Sequence, residues 1–71
     1  MTEGIYKVNV SSLAVRKEPK IASNVYLERG TIVELTGQQK QFKKEYWVEV
    51  HTISSPIVKG FVQLKYLSKL R

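Results

Sequence analysis

The sequence predicts an all-β domain, a small closed barrel of about five antiparallel strands with one short helical turn near the C-terminus. Three observations predict it. Apolar residues recur with a period of two in several short segments, and strand side chains alternate between faces, so each segment offers one face to a core. Turn-forming residues separate these segments at short intervals, as in barrels and sandwiches. No i, i+3, i+4, i+7 apolar stripe persists for three turns.

In Gly4–Val10, Tyr6, Val8 and Val10 alternate with Ile5, Lys7 and Asn9. Leu13 and Val15 continue the pattern, and Lys17-Glu18-Pro19-Lys20 with Ala22-Ser23-Asn24 reads as a loop excursion before the next strand. Val33 and Leu35 alternate with Ile32 and Glu34, between Gly30 and Gly37. Gln38–Lys44 is predicted as a long polar hairpin loop with Phe42 at its tip. In Glu45–Val50, Tyr46, Val48 and Val50 alternate with Trp47 and Glu49. Thr52–Pro56 is the next connection and Ile57–Val62 the last long strand. Gln63–Leu67 has room for one tight helical turn. β-branched and aromatic residues dominate the strands, which suits a pleated, half-buried surface. The expected core is Val8, Val10, Leu13, Val15, Val25, Leu27, Val33, Leu35, Val48, Val50, Val62 and Leu67.

A chain of 71 residues is expected to form one domain, spanning 1–71. A domain this small buries only about 60% of the surface its unfolded chain exposes. With no cysteine and a single histidine, no disulfide or thiolate site is available to reinforce it. A hydrophobic share of 42% fits a folded globule, and no apolar run is long enough to span a bilayer. Met1-Thr2-Glu3-Gly4 lacks the basic and apolar regions of a signal peptide. Two compartments stay open: the cytoplasm for a whole chain, or the cell exterior for a domain of a longer exported protein.

Net charge is +6, and it is lopsided. From Lys40 onward, seven basic side chains stand against two glutamates. Such an imbalance concentrates polyanions near the surface, although lysines also simply keep a small barrel soluble.

Catalytic chemistry finds little to work with, and the chain is not expected to be an enzyme. Nucleophilic catalysis needs an activated side chain beside a base that a third group orients. Here the one imidazole is His51, near Ser54 and Ser55, with no Cys or Asp in the chain. Glu28, Glu34, Glu45 and Glu49 fall in lysine-rich or alternating contexts that fit solvated or cross-strand charges. No glycine-rich phosphate loop or metal-ligand spacing appears, and no cofactor is expected.

Recognition surfaces favour aromatic and Arg side chains. The strand register puts Trp47 opposite Val48 and Val50, and Phe61 opposite Val62. The expectation is an exposed aromatic shelf of Trp47 and Phe61, joined by Tyr66 and Tyr6 and rimmed by Arg16, Lys17 and Lys65. The alternative is that Trp47 and Phe61 cover an open end of the barrel as a secondary core. Lys40, Lys43, Lys44 and Lys65 form a candidate basic patch.

The ordered set Leu13-Ala14-Val15-Arg16-Lys17-Glu18-Pro19, Gly30-Thr31-Ile32-Val33-Glu34-Leu35, Trp47-Val48-Glu49-Val50, Gly60-Phe61-Val62 and Tyr66-Leu67 resembles the bacterial SH3-type domain. The resemblance covers about residues 10–67. It implies an SH3-like barrel acting as a binding module, commonly for peptidoglycan or its peptide cross-bridges, and otherwise for other proteins. The matching positions are Trp47, Phe61 (where that family usually has Trp) and Tyr66. Ala14 replaces the usual Asn, and Glu18 stands where a Gly usually precedes the Pro. The reading carried forward is a monomeric, non-enzymatic module for a peptide or cell-wall polymer. An intracellular protein-interaction domain is the alternative. Nucleic-acid binding by Lys40, Lys43, Lys44, Phe42, Lys65, Lys69 and Arg71 is not expected, because aromatics and lysines are not interleaved along one strand face.

Overall fold

The computed structural model describes residues 4–21 and 25–70. It is all-β: β1 Gly4–Val8, β2 Ser12–Val15, β3 Val25–Glu28, β4 Ile32–Phe42, β5 Glu45–Thr52, β6 Lys59–Gln63 and β7 Leu67–Lys69, with a 3₁₀ turn at Leu64–Tyr66. Five strands form an antiparallel sheet in the order β6-β5-β4-β1-β7, and β2 pairs with β3 in a separate two-stranded sheet. The short turn falls within the Gln63–Leu67 segment marked for it. Ala22-Ser23-Asn24 and Arg71 lie outside the described residues.

The two sheets close on one core. Val8, Val33, Leu35, Val48, Val50, Val62 and Leu67 from the larger sheet pack with Leu13, Val15 and Leu27 from the smaller. The largest wholly enclosed side chains are five valines. Valine holds few rotamers and fits a pleated surface, so a thin interior can be filled without long side chains. Val10 packs against this cluster from its margin. Val25, expected inside, is instead exposed. It opens the outermost strand of the smaller sheet, and solvent reaches that end.

A seam joins the sheets. Arg16, just past β2, and Phe61 of β6 exchange two backbone hydrogen bonds, Arg16 N to Phe61 O at 2.8 Å and Phe61 N to Arg16 O at 2.6 Å. Gly60 makes this approach possible. A Cβ there would stand 2.7 Å from Val15 Cγ1 and 2.9 Å from the Arg16 carbonyl oxygen.

The β4–β5 hairpin corrects the sequence reading. Gln38–Phe42 is strand, not loop, and the connection is only Lys43-Lys44. Register slips between Leu35 and Gln39, a bulge that contains Gly37 at φ +102°. Glycine reaches that angle without strain. Alternation breaks at the bulge, so the polar run beyond it no longer carries a strand signature. Likewise β6 begins at Lys59 rather than Ile57.

Candidate functional site

Trp47, Phe61 and Arg16 lie on the face of the larger sheet that points away from the valine core. Trp47 stands across from Gln63 and Lys40, and Phe61 across from Glu49 and Arg16. Directly paired residues share a face, so Trp47 and Phe61 are diagonal neighbours on one surface, as the register implied. They are not an exposed shelf, and that expectation is corrected. Trp47 is 4% exposed and Phe61 6%. The Arg16 guanidinium sits 5.0 Å from the Trp47 ring centre, and the Lys40 ammonium 5.1 Å from that of Phe61. Cations over aromatic faces are attracted by the ring quadrupole, by about 0.5–2 kcal/mol depending on desolvation.

The segment after β2 anchors these cations. Arg16 Nη1 donates to the Pro19 carbonyl at 2.7 Å, and Pro19 is buried. Lys40 Nζ lies 3.8 Å from Glu18 Oε1. The loop excursion marked in the sequence therefore folds back toward the aromatic face. Neither an alternation rule nor a motif foretells such a return, because its partners are non-local.

Beside the covered indole is an open cleft of about 330 Å³. Ser12, Ala14 and Arg16 line one wall with Tyr26 of β3; Trp47, Gln63 and Tyr66 line the other. Ala14 and Tyr26 are directly paired between strands, so the smallest side chain on that face of β2 leaves the space open. Three polar atoms of residues on these two walls are enclosed with no hydrogen-bond partner among the described residues: Arg16 Nε, Trp47 Nε1 and Gln63 Oε1. Two are donors and one is an acceptor. Leaving such a group unpaired costs about 1–3 kcal/mol. They are the complete set of unpartnered enclosed side-chain atoms among the described residues, and all three belong to residues of this one cleft.

The other sequence candidates divide. Tyr66 joins the cleft, with Lys65 5.2 Å from its ring centre. Tyr6 does not: it pairs with Val33 and Lys69 on β1 and packs against the core. Phe61 borders the same face but does not line the cleft. Lys40 is drawn to Glu18, while Lys44 and Lys65 line one depression at the far end of the β4–β5 hairpin, where Lys43 covers Phe42. His51 Nε2 faces Glu34 Oε1 at 3.3 Å across β4–β5, and its Nδ1 is 3.1 Å from the Thr52 carbonyl.

Sequence reasoning missed Ala14, Tyr26 and Gln63 as cleft residues. Tyr26, 57% exposed, was the findable one: a large aromatic on the outer parity of a strand next to Leu27. A larger hollow of about 610 Å³ lies between β3 and the 53–58 connection, also against Tyr26. Its Thr31 and Thr52 hydroxyls already donate to the carbonyls of Glu28 and Pro56, so no enclosed polar group waits there. Compared with protein-family models, curated proteins and solved structures, the chain gives no match.

Proposed function

We propose that the domain is a non-enzymatic binding module that takes a peptide segment in the Arg16–Trp47–Gln63–Tyr66 cleft. The observation that carries this reading is that three residues with enclosed, unpartnered polar atoms gather around one open, aromatic-walled cleft. A peptide carbonyl oxygen can accept two hydrogen bonds and a peptide N–H donates one, which matches two N–H groups and one amide oxygen. Ligand sites are commonly concave and mostly apolar, with a few placed polar groups, and run to about 300–1,000 Å³. At about 330 Å³ this cleft accommodates one or two residues rather than a large cofactor.

The resemblance to bacterial SH3-type domains supports a peptide of cell-wall origin, since Trp47 and Tyr66 match positions of that pattern. The net charge of +6 suits an anionic wall. The test is co-sedimentation of the domain with purified cell wall at low salt, with Trp47→Phe alongside. That substitution keeps an aromatic ring and removes the indole N–H. Wild type is expected in the pellet, and W47F is expected to bind roughly five- to tenfold more weakly, as one lost hydrogen bond of about 1–1.5 kcal/mol requires. Wild type remaining in the supernatant would remove the wall as the ligand's source. Undiminished W47F binding would move the site elsewhere.

A further inference from the structure

At the distal end of the β4–β5 hairpin the chain does two things its fold does not need. It turns on Lys43-Lys44, both at positive φ, +52° and +68°. Two-residue hairpin turns of this kind favour Asn-Gly, because most side chains are strained there. It also leaves two large apolar side chains in solvent, Tyr46 at 54% and Leu64 at 37% exposure. These line one shallow depression with Lys44, Glu45 and Lys65. Glu45 is engaged by Lys65 at 3.4 Å, whereas Lys43 and Lys44 have no ion pair among the described residues. The result is an apolar spot at the hairpin turn beside two cations without an acidic partner, of which Lys43 lies over the Phe42 ring. A strained pair of lysines where neutral residues would fit better points to a role for their charge.

We infer that this tip docks on an anionic phospholipid surface. The depression holds about 210 Å³, small for enclosing a ligand, while a hairpin turn meets a broad surface well. Lysines gain from an anionic bilayer, and apolar side chains gain from its headgroup–acyl boundary. Leu64 argues against a nucleic acid, since a leucine offers no π face for a base to stack on. No helix among the described residues is long and apolar enough to cross a membrane. The contact uses side chains other than those that line the peptide cleft.

The test is sedimentation of the full chain with vesicles of phosphatidylcholine alone or with phosphatidylserine, at low and physiological salt. Wild type is expected to bind the anionic vesicles only, and less at higher salt. The double variant K43N/K44G is the decisive one. It removes two charges and relaxes the turn, so its Tm is expected to rise by about 5 °C while its partition falls about 25-fold, roughly fivefold per lysine. A loss of binding with a gain of stability excludes misfolding as its cause. Leu64→Ser is expected to weaken binding about fivefold. The control K7Q/K20Q makes the same charge change away from the tip and is expected to bind nearly as wild type. The proposal falls if anionic lipid gives no binding, if K43N/K44G binds unchanged, or if the control loses as much. It also falls if a single-stranded RNA oligonucleotide, and not the vesicles, shows the K43N/K44G sensitivity. Failure here leaves retention on cell wall untouched, because the cleft residues are unaltered.

Discussion

At the scale of single residues, Trp47 carries the tension in this chain. Its ring is nearly as well enclosed as the valines of the core, yet its N–H has no partner among the described residues and it borders an open cleft. A purely structural indole would be expected to satisfy that donor. Alternation in Glu45–Val50 identified the face on which Trp47 lies, because strand parity is a local property. It did not identify the cover. Arg16 reaches Trp47 from 31 positions away in sequence, through the seam with Phe61, and no local pattern encodes that. Ala14 is the complementary residue, small where the cleft needs space. Ala14→Leu is expected to fill the cleft and reduce ligand binding at least tenfold. Tm should shift by only a few degrees, since the position is half-buried and outside the core cluster. Binding titration beside a thermal melt checks both.

Elements were legible to different degrees, for physical reasons. β1 and β5 follow from alternation, because each has one face against the core, and the 3₁₀ turn from the short Gln63–Leu67 spacing. The distal half of β4 was not legible. Past the Leu35–Gln39 bulge it pairs only with β5 and is largely exposed, so nothing selects apolar residues there. The Arg16–Phe61 pair is the backbone bridge between the smaller sheet and β6, and Gly60 is its gate. Gly60→Ala would place a methyl against the Arg16 carbonyl, which cannot yield without breaking the Arg16–Phe61 bonds. The expected cost is about 2 kcal/mol, in the range of overpacking a tight site. In a domain of this size that lowers Tm by roughly 8–16 °C. It should also weaken ligand binding, because the same seam places Arg16 beside the indole. A melt unchanged within a degree or two would show that the seam can relax.

For the whole molecule, periodicity and punctuation pointed to an all-β fold, as the resemblance did, and most of the expected core is where parity put it. Closing two sheets around five enclosed valines leaves Trp47 and Phe61 on the outside of the larger sheet, while Tyr6 packs against the core and Tyr26 is exposed on the smaller sheet. Cations sit over several of the rings: Arg16 on Trp47, Lys40 on Phe61, Lys43 on Phe42, Lys65 on Tyr66 and Lys69 on Tyr6. Five of the chain's twelve basic side chains thus lie over π faces. The chain holds one tryptophan, and it borders the cleft, which makes its emission a direct reporter. The deciding measurement is a fluorescence titration with soluble peptide fragments released from purified cell wall. The account predicts a saturable change in Trp47 emission that is lost in Ala14→Leu. Emission that stays flat while the domain still sediments with intact wall would contradict it, because the ligand would then be held somewhere other than the cleft.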